Sequence, residues 1–227
     1  MKVLAIIILL LGVMAFNFNR KKDEKKIIFF GDSITEQGAK SGGYIKLLEQ
    51  KIKEKNLGTS YALIGAGVGG NKIYDLYLRM DKDVLAKDPD AVVIWIGVND
   101  VWHKQSSGTG TDANKFVQFY NAIIQKLKEK NIPVYLCTPS AIGEKTDVTN
   151  ELDGDLNKYA ALIRTIAKNN NYPLIDMRKL FLEYNLKYNT ENKDRGILTT
   201  DGVHLNDKGN ELVAEEMMRV LSKSMIH

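Results

Sequence analysis

Ser33, Asp201 and His204 have the side chains to act as a nucleophile, an orienting acid and a base. Ser33 closes the stretch Ile27-Ile28-Phe29-Phe30-Gly31-Asp32-Ser33, in which four consecutive apolar residues stop at small turn-formers. That pattern predicts a buried strand ending in a tight loop, and open α/β sheets hold their ligands at such carboxyl ends. Asp201-Gly202-Val203-His204 brings a carboxylate and an imidazole into one short loop near the other end of the chain. An imidazole held by a carboxylate can take the proton of a serine hydroxyl and activate it, and Ser, Asp, His is a workable order for such a triad. Plainer readings stand beside this one. Gly-Asp-Ser is also an ordinary turn or helix N-cap, and His204 could be a helix neighbour or a metal ligand. With three histidines in the chain, one of them the terminal His227, and no Cys/His cluster, a metal site has little support. No metal and no organic cofactor is expected.

Two further turns carry polar or glycine punctuation. Gly65, Gly67 and Gly70 satisfy G-x-G-x-x-G between an expected strand and helix, the fingerprint of a dinucleotide site. That fingerprint needs an acidic residue at the far end of the next strand, whereas Asp88 and Asp90 precede that strand. A phosphate-binding P-loop also fails, because Gly70 is followed by Asn71-Lys72 and the lysine-hydroxyl pair is missing. Asn99, at the end of the strand Ala91–Ile96, can donate a side-chain hydrogen bond to an oxyanion beside Ser33; an Asx turn is the competing reading. Asp32 reads as a loop brace. Tyr44, Trp102 and His103 are candidates to line a substrate pocket, with a place in the sheet packing, or for His103 on a loop surface, as the alternative.

Taken together these blocks resemble the SGNH hydrolases, the GDSL-type esterases. Gly31-Asp32-Ser33 matches the first block of that family, Gly70 the second, Gly97-x-Asn99-Asp100 the third and Asp201-x-x-His204 the last. The G-x-S-x-G elbow of the α/β-hydrolases is absent. The resemblance implies a Ser33-His204-Asp201 triad, and an oxyanion hole made by the backbone N–H groups of Ser33 and Gly70 and the side-chain amide of Asn99. It implies hydrolysis of acyl esters on a small molecule or glycan. No long apolar lid segment is evident, which favours a short acyl group such as acetyl. A lysophospholipase, a thioesterase or an acyltransferase would share every one of these residues.

The elements that must position the blocks follow from periodicity. Strands are expected at Ile27–Phe30, Ser60–Ile64, Ala91–Ile96, Val134–Thr138 and Pro173–Ile175. Helices are expected at Tyr44–Lys55, from Lys72 to about Met80, and as amphipathic stripes through Phe116–Leu127, Leu152–Ile166 and Leu212–Leu221. Ser106–Thr111 reads as a flexible surface loop. Strands alternating with helices predict a three-layer α/β/α domain built on a doubly wound, flavodoxin-like sheet of about five parallel strands.

At 227 residues with 44% hydrophobic content, one domain with a full core is the simplest organisation. The net charge of +4 belongs to residues 1–26, which hold six Lys/Arg and two Asp/Glu, so residues 27–227 are balanced and offer no nucleic-acid surface. Lys2 followed by an uncharged apolar run from Val3 to Phe16 reads as a signal peptide, too short for a comfortable membrane span. Residues 1–26 are therefore expected to export the chain, periplasmic or secreted, with an uncleaved membrane anchor or a cytoplasmic protein as the alternatives, and residues 27–227 to form the catalytic domain. The single cysteine, Cys137, cannot form an internal disulfide and lies in an apolar strand.

Overall fold

The computed structural model describes residues 24–55 and 60–225, so the expected export segment lies almost wholly outside the described residues. The elements are β1 (Lys25–Gly31), α1 (Ser33–Gly38), α2 (Tyr44–Glu54), β2 (Tyr61–Gly67), α3 (Ile73–Asp83), β3 (Ala91–Trp95), α4 (Val98–Ser106), α5 (Ala113–Glu129), β4 (Val134–Cys137), α6 (Asp153–Asn170), β5 (Leu174–Ile175), α7 (Met177–Tyr188) and α8 (Asp207–Met225). Among the described residues the strands form one parallel sheet in the order β2-β1-β3-β4-β5. This is the expected doubly wound order, and it reverses direction between β1 and β3, the place where such sheets open a crevice for ligands.

Strand periodicity of two divides the core. Ile27, Phe29, Val93, Trp95 and Cys137 face one layer, against Tyr44, Ile45 and Leu48 of α2, Phe181 of α7 and Val213 and Met217 of α8. Ile28, Phe30, Val92, Ile94 and Leu136 face the other, against Leu76 of α3, Phe116 and Tyr120 of α5 and Tyr159 of α6. Because both faces are covered, β3 reads Ala-Val-Val-Ile-Trp without a polar residue. Among the described residues no helix is long and apolar enough to cross a membrane.

Three helices depart from the sequence reading. Asn99 and Asp100 sit in the first turn of α4, which continues to Ser106, and α1 begins at Ser33 itself. Helix α7 was hidden because Arg178 and Asn185 occupy buried positions on it and break the apolar stripe. The surface loop runs over residues 107–112 between α4 and α5, and its end is anchored: Thr111 is buried and donates its N–H to the Asp100 carbonyl at 3.1 Å. Strand β2 also runs on through Gly67, so the glycine series is mostly strand and the turn begins at Val68.

Registers set the height at which the loops leave the sheet. Gly31 at the end of β1 pairs with Gly67 on one side and Trp95 on the other, so the turns after β1, β2 and β3 start level with one another. Helix α1 lies on the end of β2, and only glycine allows it. A Cβ on Gly67 would lie 2.6 Å from the Asp32 carbonyl oxygen and closer still to the backbone of Thr35 and Glu36. Gly67→Ala should therefore cost about 1–3 kcal/mol by overpacking backbone against backbone. At about 2–4 °C per kcal/mol for a domain of this size, thermal unfolding should show a fall in Tm of several degrees. An unchanged Tm would contradict the close approach.

Candidate active site

Ser33 is placed by the cap before it. The Asp32 side chain accepts the N–H of Ile34 at 3.0 Å and starts α1 directly after β1. This confirms Asp32 as a brace and leaves Ser33 in the first turn, where helical N–H groups have no intrahelical partner. No acceptor among the described residues takes the Ser33 N–H.

The partner loop is folded by local bonds. Gly202 has φ +96° and donates its N–H to Thr199 Oγ1 at 3.0 Å, while Thr200 N–H reaches the His204 carbonyl at 2.8 Å. Asp201 Oδ1 accepts the N–H groups of Val203 at 3.0 Å and His204 at 2.8 Å. That leaves Oδ2 for His204 Nδ1 at 2.7 Å, and His204 Nε2 lies 2.9 Å from Ser33 Oγ. The sequence reading had no signal for what holds this loop on the sheet. Glu144, 1% exposed in the loop after β4, accepts the N–H of Ile197 at 2.9 Å and of Leu198 at 2.7 Å. Backbone bonds from Gly143 to Gly202 and from Glu144 to Asp194, both 2.9 Å, tie the same two loops together.

On the other side of Ser33, the turn after β2 brings Gly69 close: a Cβ added there would stand 4.0 Å from Ser33 Cβ. Gly70 has φ +75°, and no described residue accepts its N–H. The adjoining Asn71 carbonyl accepts a hydrogen bond from Asn99 Nδ2 at 3.1 Å, so Asn99 is seated against this turn and is not spent in an Asx turn. Asn99 is 4% exposed. The turn that carries Gly70 thus lies beside Ser33 and seats Asn99, with two N–H groups that no described residue accepts and an amide that retains a second proton. Ser33 and Gly70 are half-buried, so these N–H groups are open to water or to a ligand oxygen.

Three charged residues fix this turn, and of these only Asp100 belonged to a block the sequence singled out. Arg79 donates to Asn71 Oδ1 at 2.7 Å, to the Gly31 carbonyl at 2.8 Å and to the Ala66 carbonyl at 3.0 Å, bridging the ends of β1 and β2. Lys72, 7% exposed, donates from Nζ to the Gly70 carbonyl at 2.9 Å. Asp100 accepts the N–H of Ile73 at 3.1 Å and docks α3 onto α4. In sequence Arg79 and Lys72 carried no mark of this role, and Asp100 entered only as the last residue of the third block.

The carboxylates are differentiated by surroundings. Burial pushes Asp32 up to about 7, with the N–H bond of Ile34 opposing and nearby Asp100 adding to the rise. Burial likewise carries Asp100 to about 7 against the bonds it accepts. Partial burial alone would raise Asp201 too, but the bonds from the His204 ring and from the N–H groups of His204 and Val203 outweigh it and hold Asp201 low. The anion on the imidazole is therefore Asp201.

The expected pocket-lining aromatics fare differently. Tyr44 is fully buried between Phe29 and Trp95 with its hydroxyl bonded to Thr35 Oγ1 at 3.1 Å, so it is core and lines no pocket. Nearness in sequence to the Ser33 turn had suggested otherwise; the α2 stripe it heads turns it inward. Trp102 is half-buried against the core and against His103. His103 is on α4 rather than a loop, with its Cε1 3.9 Å from where a Gly70 Cβ would stand; burial and then the Lys72 charge lower its pKa.

Known proteins resemble this chain over most of its length. The family model described as GDSL-like Lipase/Acylhydrolase matches residues 29–212. The acetylxylan esterase of Geobacillus stearothermophilus is 26% identical over 211 residues, covering 86% of this chain and 93% of that protein. An isoamyl acetate-hydrolyzing esterase 1 homolog of Rattus norvegicus is 24% identical over 213 residues, covering 88% and 82%. The crystal structure of an acetyl xylan esterase, AlAXEase, superposes with a TM-score of 0.83 at 64% identity, covering 86% of this chain and 98% of that one.

Removing one oxyanion donor typically costs about 2.7–4 kcal/mol of barrier. Asn99→Ala should accordingly lower kcat by about 100- to 1000-fold on an activated ester. Equal turnover in a variant with unchanged Tm would remove Asn99 from the oxyanion site.

Proposed function

The chain belongs to the GDSL-like lipase/acylhydrolase family and is a carboxylic ester hydrolase, and from that premise we propose that it removes short acyl groups, acetyl above all, from carbohydrate. The observation that carries the reading is the continuous hydrogen-bond chain Asp201–His204–Ser33, and the N–H groups of Ser33 and Gly70, which no described residue accepts, support it.

The reaction is acyl transfer in two halves. His204 Nε2 takes the proton of Ser33 as Oγ bonds to the ester carbonyl carbon, and Asp201 steadies the resulting imidazolium through Nδ1. The carbonyl oxygen becomes an oxyanion that accepts from Ser33 N–H, Gly70 N–H and Asn99 Nδ2. These donors are fixed before substrate arrives, by the α1 cap, the Arg79 and Lys72 bonds and the Asn71 carbonyl, so little reorganisation opposes the transition state. The tetrahedral centre collapses, the C–O bond to the sugar breaks, and His204 returns its proton to the departing alkoxide. Water then enters, His204 takes one of its protons, and a second tetrahedral centre releases the carboxylic acid and restores Ser33.

The preference for acetyl on carbohydrate is supported by two of the relatives, whose names specify acetylxylan, one of them 64% identical to this chain. Export by the N-terminal segment fits a polymeric substrate met outside the cell and forms part of the same proposal; a fusion of residues 1–26 to a reporter that stayed in the cytoplasm would remove it.

Hydrolysis of p-nitrophenyl acetate, butyrate and octanoate, beside acetylated xylo-oligosaccharides and with Ser33→Ala as control, tests the reading. Since a single methylene can change kcat/KM by about 10-fold or more where it fails to fit, acetate should exceed octanoate at least tenfold. Acetate should also be released from the oligosaccharides, and all activity should depend on Ser33. A preference for octanoate would contradict the short-acyl assignment and move the substrate to lipids.

A further inference from the structure

A cavity of about 240 Å³ lies beyond β4 and β5, between the loop 141–150 and helices α6 and α7. It stands at the same carboxyl end of the sheet as Ser33, Gly70 and Asn99, displaced toward the β5 edge. Drug-sized pockets run to about 300–1,000 Å³, so this one suits a single small ring.

Its wall holds three deeply buried polar residues, and two of them are already spoken for. Arg178, 1% exposed, donates to Asp153 at 2.6 Å, to Asn157 at 2.7 Å and to the Ser140 carbonyl at 3.2 Å. Glu144 is occupied by the N–H groups of Ile197 and Leu198. Asn185 is different. It is 4% exposed, and its side-chain oxygen has no hydrogen-bond partner among the described residues. A buried amide oxygen left unpaired bears the full cost of its desolvation, and a native fold that keeps one has a use for it.

The remaining surface is apolar. Phe181 and Leu182 of α7 line the cavity, and Val148 and Leu186 stand at its rim 90% and 69% exposed. Val148 also has φ +60°, a conformation that a β-branched residue adopts only under strain. Arg178 is offset by Asp153, the Glu144 carboxylate is taken up by two backbone N–H groups, and Lys145 is the remaining charged residue of the lining. Amide groups, apolar walls and compensated charge fit a neutral, polyhydroxylated ring.

We propose that this cavity is a subsite for one sugar ring of the acetylated glycan, with the Asn185 amide as its hydrogen-bonding anchor. The inference rests on the carbohydrate reading above. The same loop that forms the cavity wall is bonded to the loop carrying Asp201 and His204, through Gly143 to Gly202 and Glu144 to Asp194. A ring held here is therefore fixed relative to the catalytic loop, and a chain running from it could present its ester to Ser33.

Asn185→Leu tests this, since it keeps the side chain's bulk, removes the amide and breaks no hydrogen bond inside the protein, so that Tm should not fall. Two quantities are measured. One is kcat/KM for acetylated xylo-oligosaccharides relative to p-nitrophenyl acetate. The other is the calorimetric Kd of Ser33→Ala for unacetylated xylo-oligosaccharide, with and without Asn185→Leu. Both should worsen by about tenfold, the size of one or two hydrogen bonds. If the parent protein deacetylates xylo-oligosaccharides and Asn185→Leu alters neither quantity, the subsite is overturned while the carbohydrate reading stands. If the parent protein releases no acetate from any oligosaccharide, the carbohydrate reading falls and the subsite with it.

Discussion

The hydrogen bond between Ser33 Oγ and His204 Nε2 joins residues 171 positions apart, and the fold is what keeps that distance at 2.9 Å. Neither partner sits on a strand. Ser33 begins a short helix, and His204 belongs to a loop after the last strand, so each must be fixed by something other than the sheet ladder. For Ser33 that is the Asp32 cap and the glycine bed of Gly67, which lets α1 lie directly on β2. For His204 it is the buried Glu144 carboxylate, which holds the N–H groups of Ile197 and Leu198 from the neighbouring loop. A carboxylate is buried favourably only when its oxygens are satisfied. Glu144 therefore accepts a position in one geometry of the loop and disfavours others.

The proposed oxyanion side obeys the same logic with opposite charges. Arg79 reaches from α3 to the carbonyls at the ends of β1 and β2 and to the Asn71 side chain, and Lys72 bonds the Gly70 carbonyl. Acceptors that could fold back on the free N–H groups are thus occupied by cations. The donors stay unpaired because their neighbours are paired, and that is the preorganisation acyl transfer requires. The raised Asp32 and Asp100 and the lowered Asp201 complete the arrangement, leaving the anion where the imidazolium forms.

How much of this was legible in the sequence depends on the range of the contacts. Gly31-Asp32-Ser33, Gly97-x-Asn99-Asp100 and Asp201-x-x-His204 are local patterns whose residue types are set by the turns they make, and the strands around them are apolar enough to be counted. The parallel order followed from alternation. Glu144, Arg79 and Lys72 were not legible, because a buried charge is marked by distant partners and resembles a surface charge in sequence. Helix α7 was missed for the same reason, since Arg178 and Asn185 interrupt its apolar stripe from buried positions. Tyr44 erred in the other direction: an aromatic near a reactive turn suggested a pocket wall, while its helix periodicity places it in the core.

The central claim is that Ser33 is made nucleophilic by His204. Intact-mass and peptide mass spectrometry after treatment with a fluorophosphonate, a reagent that phosphonylates activated serines, tests it most directly. The account predicts a single adduct, mapped to Ser33, and loss of labelling in His204→Ala. An adduct on another residue, or undiminished labelling of Ser33 in His204→Ala, would contradict it.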